Sequence, residues 1–373
     1  MSCTVVRQRE QGPLSDAVFG ALRSGGAVAV LDPTWPEPFL RMATGQIRDA
    51  VSAGVVGPGD LVVFSSGSTG RPRGIVRTVR SWQASVAALT SITGMTEQDT
   101  VWLPGPLWSS LFLYGAFHAD AVGAKVALRD DDPAAATVLH CVPSQLPGLL
   151  HRARAGRSQG LSLVRLVVVS GDHCPAPLRE QCAAAGWRVV EYYGAAELSF
   201  VAWRERSGPL GPFPGVETEL RDGMLWARSP YLASAYLGAH ADGPLRRDPH
   251  GWATVGDLAT EVPGGLEVLG RGDSAVTTGG YTVVVEEVER LLRRLPGVDE
   301  VAVLGVPHPR LGQALTAIVV GSAADGMLRA AVAGIPAPSR PRRWVHADSL
   351  PRTSGGKLRR DALPGLVARL GAP

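Results

Sequence analysis

The chain has 373 residues, 45% hydrophobic and 19% charged, which fits two folded domains and argues against a lone peptide module or wholesale disorder, despite 45 glycines and 29 prolines. A formal charge of +3 is too small for the concentrated field that nucleic-acid binding needs, and four scattered cysteines without a CxxC pair (Cys3, Cys141, Cys174, Cys182) argue against a disulfide frame or a structural zinc site. No run reaches the roughly 18 apolar residues of a membrane span, and the start MSCTVVRQREQGPL lacks the apolar centre of a signal peptide, so a cytoplasmic protein that engages no membrane is expected.

From Leu61 to Tyr193, β-branched runs alternate with helical patterns. LVVF, TVWL, KVAL, TVLHCV, VRLVVV and WRVVEYY are separated by segments such as SWQASVAALTSI and CPAPLREQCAAA. That alternation predicts a mostly parallel sheet covered by helices on both faces. Ligands in such sheets sit beyond the carboxyl ends of the strands, which points to the loops after Phe64, Val169 and Tyr192. Between Phe213 and Gly270 the pattern turns to short strands and frequent turns, VETELRDGMLWARS and VPGGLEVLG among them, and reads as antiparallel sheet. After GRGDS at Gly270–Ser274 come a helix over 286–295 with Glu early and Arg late, strands over 301–306 and 315–320, a weak helix over 327–333 and a basic tail. The expected architecture is therefore α/β. A large N-terminal domain of mostly parallel sheet plus an antiparallel subdomain spans 1–270, a linker spans 271–274, and a small α+β domain spans 275–373.

Four motifs carry chemistry. SSGSTGRPRG at Ser65–Gly74 follows the strand LVVF and packs hydroxyls, glycines and arginine as a phosphate cradle would, or as an ordinary Gly-Ser surface loop does. It is not a Walker loop, and Pro72 interrupts the place where the helix would begin. YYGAAELS at Tyr192–Ser199 puts one acid, Glu197, at a strand's carboxyl end, where it reads either as a holder of Mg²⁺ against phosphates or as a solvated turn residue. GWATVGDLA at Gly251–Ala259 places Asp257 where a carboxylate could accept from two ribose hydroxyls, although Gly-Asp is also a common turn. PRTSGGKLRRDAL at Pro351–Leu363 holds Lys357, one of only two lysines beside Lys125, on a flexible Ser-Gly-Gly arm. An ammonium there reads either as a mobile charge entering a closed site or as part of a solvated basic tail. His173 beside Cys174 has no second pair at ligand spacing and reads better as a loop near a pocket than as a metal site.

In this order and at this spacing, and with GRGDSAVTTGGYTVVVEEVE at Gly270–Glu289, the motifs resemble the acyl-adenylate-forming superfamily: acyl- and aryl-CoA synthetases, peptide-synthetase adenylation domains and luciferases. The resemblance runs from about Leu61 to Leu363 and implies two domains, the smaller rotating between an adenylating and a thioester-forming pose. It implies that Ser65, Ser66, Gly67, Ser68, Thr69, Gly70 and Arg73 hold the phosphates of ATP, that Tyr193 lies against adenine with Gly194 also in the nucleotide site, and that Glu197 holds Mg²⁺. Asp257 and Arg271 would bind the ribose, Asp273 would be the hinge, Lys357 would bridge the substrate carboxylate and the α-phosphate, and Gly279, Gly280 and Tyr281 would line a path for coenzyme A. Three departures stand out. Arg73 replaces the usual Lys, Ala196 replaces the usual Thr, and only 64 residues precede the phosphate loop, which implies a trimmed N-terminal domain with a smaller or more open pocket.

The acid substrate is read from the pocket residues that the resemblance implies. TVWLPGPLWSS offers Trp108, Ser109 and Ser110 where enzymes for α-amino acids place an Asp, so a free amino acid is disfavoured. Trp108 either shortens the pocket as a flat wall or packs in the core. Ser170, Gly171, Asp172 and Ala195 would complete the wall, with Asp172 or His173 meeting a polar ring substituent. The reading is an ATP-dependent ligase joining a small aromatic or short carboxylic acid to coenzyme A, with a homodimer as the assembly considered. Its alternatives are an adenylating enzyme serving a carrier protein or an amine in secondary metabolism, and a non-catalytic homologue that only binds nucleotide or acyl-AMP.

Overall fold

The computed structural model describes residues 2–65, 73–154, 161–205, 207–238, 244–271, 275–278, 281–309, 311–335 and 337–370. Within these, four sheets divide the chain. The first three are built from residues up to Arg271, and the fourth begins at Ala275.

The site is positioned by a seven-stranded sheet. Five of its strands, Lys125–Leu128, Thr100–Leu103, Val138–Cys141, Leu166–Val169 and Arg188–Ala195, run parallel in that spatial order. The chain then reverses, and Ser199–Arg204 returns antiparallel beside Arg188–Ala195. VLHC and LVVV are buried at every position, as strands covered on both faces must be. The helices Ser110–Val122 and Leu146–Arg154 turn Phe112, Leu113, Leu149 and Leu150 into the two adjoining cores.

The run LVVF does not join that sheet. Asp60–Ser65 belongs to a separate five-stranded sheet, parallel to Ala27–Val30, which is parallel to Cys3–Val6, and antiparallel to Arg73–Thr78. The residues ahead of the phosphate loop thus make a parallel layer covered by the helices Gln11–Arg23 and Glu37–Ser52. Apolar runs in two different sheets have the same periodicity, which is why the sequence pattern merges them.

The antiparallel region holds the hairpins Glu217–Arg221/Met224–Arg228 and Asp257–Val262/Gly265–Arg271. The C-terminal sheet is centred on Val298–His308 paired with Gly312–Gly321, and the helix Val285–Leu292 packs its Val285, Val288 and Leu292 against it. That helix ends three residues earlier than the sequence pattern predicts, because the chain has already turned toward Pro296 and Gly297, the latter at φ +78°. Among the described residues no helix is long and apolar enough to cross a membrane.

Candidate active site

The carboxyl ends of the parallel strands converge on one cavity. Leu166–Val169 delivers Ser170 and Gly171, Arg188–Ala195 delivers Tyr192, Gly194 and Ala195, and the turn beyond it delivers Ala196 and Ser199. The start of the helix Ser110–Val122 supplies Ser110, Leu111 and Tyr114. Across the cavity, Arg77 and Trp82 come from the first sheet and the helix after it, and Lys357 comes from the C-terminal domain. A wider cleft lined by His308, Pro309, Leu311 and Arg342 lies in the C-terminal domain and contains none of these groups.

The strand carrying Tyr192 and Tyr193 is anchored by charge. Glu191 is 4% exposed and accepts from Arg204 Nε and Nη2, both at 2.9 Å, from Arg179 Nη1 at 3.2 Å, and from the Cys174 backbone N–H at 3.2 Å. Beyond it the hairpin is tight. A Cβ on Gly194 would lie 1.9 Å from the Ser199 carbonyl oxygen, and Ser199 takes the left-handed φ of 61°. Glu197 sits at the hairpin tip, 3% exposed, where the Tyr236 hydroxyl donates to its Oε1 at 2.8 Å. Burial, and then the negative charge of Glu197, push the Tyr236 phenol well up, so it stays a donor.

The two residues expected at the ribose are strand partners. Asp257 pairs in register with Arg271, and the Tyr193 hydroxyl donates to Asp257 Oδ2. The Tyr193–Asp257 bond therefore ties the strand Arg188–Ala195 to the hairpin whose other strand ends at Arg271. Arg73 opens the strand Arg73–Thr78 opposite Ser65. Ser66, Gly67, Ser68, Thr69 and Gly70 lie outside the described residues, as do Asp273, Gly279 and Gly280. Tyr281 opens the strand Tyr281–Val284.

Lys357 reaches the cavity on a docked loop. The loop closes on itself through Thr353 N–H to Lys357 O at 2.7 Å and Lys357 N–H to Thr353 Oγ1 at 3.1 Å, and a Cβ on Gly171 would come within 3.2 Å of Lys357 Cε. Ser354 latches the loop to the large domain. Its hydroxyl donates to Asp32 Oδ2 at 2.8 Å and accepts from Trp108 Nε1 at 3.1 Å, while Ser144 Oγ donates to Gly356 O at 3.2 Å. At the base of the loop, Arg360 forks onto the 2%-exposed Glu289 at 2.8 and 2.9 Å.

The structure distributes the expected pocket residues differently from the sequence reading. Trp108 is buried against the core and turns its N–H to Ser354, and Ser109 faces Gly355. The aromatic residues lining the cavity are Trp82 from the helix Val79–Thr93, Tyr114 from the helix after Ser109, and Tyr192 and Phe200 from neighbouring strands. Asp172 is exposed, accepts from the His173 backbone N–H at 2.7 Å, and bears electrostatically on Arg360. Sequence reasoning missed Arg77, Asp32 and Ser354. Asp32 was signalled by its place after the strand AVAV, at another parallel strand's carboxyl end, whereas nothing in RGIVRTVR sets Arg77 apart from the arginines around it.

Family comparisons agree with this geometry. Residues 52–237 match the model of the AMP-binding enzymes and residues 287–357 that of the AMP-binding enzyme C-terminal domain. The chain is 32% identical over 332 residues to an uncharacterised acyl–CoA ligase of Bacillus subtilis, covering 80% of this chain and 66% of that protein. It is 31% identical over 342 residues to a probable 2-succinylbenzoate–CoA ligase of Mycobacterium tuberculosis, covering 81% and 83%. Its fold is similar to ATP-bound MatB from Rhodopseudomonas palustris, with a TM-score of 0.83 at 20% identity over 98% of this chain and 88% of that one.

Proposed function

We propose that this chain, which belongs to the AMP-binding family of acyl-adenylate-forming enzymes, is an ATP-dependent carboxylic acid–CoA ligase. A carboxylate attacks the α-phosphate of ATP to give acyl-AMP and pyrophosphate, and the thiol of coenzyme A then displaces AMP to give the thioester. The observation that carries this reading is Lys357 brought to the cavity beside Ser170, Gly171 and Tyr192. An ammonium there stabilises the negative charge that develops as carboxylate and phosphate approach.

The residues divide the work. Ser65 through Gly70 and Arg73 hold the phosphates, Tyr193 lies against adenine, and Asp257 and Arg271 take the ribose. Glu197 offers a buried carboxylate already oriented by Tyr236, and among the described residues no cluster of three His, Cys, Asp or Glu side chains could hold an ion by itself. A single carboxylate suits Mg²⁺, which draws most of its oxygens from phosphate and water, and the ion would neutralise phosphate charge. The aromatic walls favour a small aromatic or short acid over a long-chain one. The acyl acceptor is coenzyme A, as in the printed names of both relatives. Asp273 provides the hinge, and Gly279, Gly280 and Tyr281 line the thiol's path.

The test is thioester formation from ATP, Mg²⁺, coenzyme A and a panel of short and aromatic acids. Acyl-CoA is expected for at least one of them. Acyl-AMP that accumulates without thioester at any CoA concentration would assign the adenylate to a carrier protein or an amine instead.

A further inference from the structure

Arg77 is a charge in a place that disfavours charge. It lies in the strand Arg73–Thr78, is 1% exposed, and lines the cavity beside Trp82, Tyr114 and Phe200. Its Nη2 donates to the Tyr231 carbonyl at 2.7 Å, and its guanidinium carbon is 5.3 Å from the centroid of the Trp82 ring. Its Nε is buried and has no hydrogen-bond partner.

These contacts do not account for the residue. The Tyr231 carbonyl asks for one donor and the ring asks for one cation face, yet a guanidinium carries five donors and a full charge. Among the described residues it has no ion-pair partner, and Glu197 acts on it only through space, after burial and Tyr114. Burial holds its pKa down at about 10, which leaves it charged at neutral pH. Native proteins satisfy nearly all buried polar groups, and a buried cation without a counter-charge destabilises the fold that holds it. A residue of this kind on a cavity wall is completed by what enters the cavity.

We propose that Arg77 is the specificity-determining residue of the acyl pocket and binds a second anionic group of the substrate, so that the preferred acid is a dicarboxylate. This rests on the acid-activating reading above. One carboxylate reacts at Lys357, and the other pairs with Arg77, whose planar fork matches a carboxylate's two oxygens. Adenylation consumes the charge of the first carboxylate and leaves the second unchanged through both half-reactions. Arg77 therefore grips acid, acyl-AMP and thioester alike, and its contribution falls on KM rather than kcat.

The experiment is acid-dependent ATP–pyrophosphate exchange by the full chain with matched acids: glutarate against pentanoate and monomethyl glutarate, and isophthalate against 3-methylbenzoate. Wild-type protein is expected to prefer the diacid by about tenfold or more in kcat/KM in at least one set. Arg77→Met is expected to cut that preference ratio by about tenfold or more, chiefly through KM, and Arg77→Lys to retain part of it. The proposal is overturned if the monoacid or the neutral ester is preferred in every set, or if Arg77→Met lowers both members equally. Should the variant not fold, the wild-type preferences decide alone. Exchange confined to monoacids overturns this inference only, whereas no exchange with any acid overturns the acid-activating reading and this inference with it.

Discussion

At position 194 only a hydrogen fits. The Ser199 carbonyl oxygen would lie 1.9 Å from any Cβ there, and Ser199 is already in the left-handed region. Gly194→Ala must open the hairpin whose tip carries Glu197 and whose flank carries Tyr193. The expected outcome is a loss of about 1–3 kcal/mol in urea denaturation with a much larger loss of adenylation, since a displacement of about 1 Å in a positioning element can lower a rate about 10²-fold. An active Gly194→Ala enzyme would show that the hairpin is not what holds the nucleotide site. The sequence singles out residues where the proposed task falls on an unusual type: Lys357 among arginines, and Glu197 and Asp257 in glycine-rich turns. Arg77 and Ser354 were not, because what distinguishes them is burial in one case and a partner more than three hundred residues away in the other.

Strands and helices set the site through two buried networks. Glu191, with Arg179 and Arg204, clamps the strand Arg188–Ala195, and all three side chains are at most 13% exposed. Glu191→Ala leaves two arginines without their acid and is expected to lower stability by about 3–5 kcal/mol. A shift in the urea midpoint reads this, and a change within about 0.5 kcal/mol would rule out the clamp. Behind the cavity, His118 bonds Thr90 at 2.9 Å and His140 lies 3.4 Å from the Tyr192 hydroxyl. Burial holds His118 at about 4 and His140 at about 3, the latter also through repulsion from His118. Both folded values lie below the unfolded 6.5, so the unfolded chain takes up more protons as pH falls below 6.5. Stability is therefore full above 6.5 and declines on the way down to between 4 and 3, by about 2 kcal/mol per histidine at pH 5. Urea denaturation at pH 7.5 and pH 5.0 should show this loss, with a smaller pH difference in His140→Gln, and an equal difference in both proteins would contradict it. The elements themselves were largely legible, since LVVV and the hairpin VETELRDGMLWARS form as their patterns predict. Sheet membership was not, because LVVF pairs with an N-terminal strand whose address is written in tertiary contacts and not in periodicity.

The whole molecule is held by a loop docked across domains. Ser354 joins Asp32 and Trp108 of the large domain, so Trp108, which the sequence left as either a pocket wall or a core residue, packs in the core and helps to seat Lys357. Ser354→Ala removes one bond to a carboxylate and one to an indole, and is expected to slow adenylation about 10-fold or more. Thioester formation from supplied acyl-AMP should be unchanged or faster if, as the family resemblance implies, that step uses a second pose of the C-terminal domain. Equal slowing of both half-reactions would refute the latch. The two-domain plan was legible from the change of pattern near GRGDS, but the pose was not, since it depends on contacts between Thr353–Leu358 and four separate segments of the large domain, at Asp32, Trp108, Ser144 and Gly171. The central claim, that Lys357 acts on a carboxylate being activated by ATP, is tested most directly by acid-dependent ATP–pyrophosphate exchange in wild type and Lys357→Ala. The account predicts exchange that requires an acid and falls about 10²–10³-fold in the variant. Exchange that proceeds equally well in Lys357→Ala would contradict it.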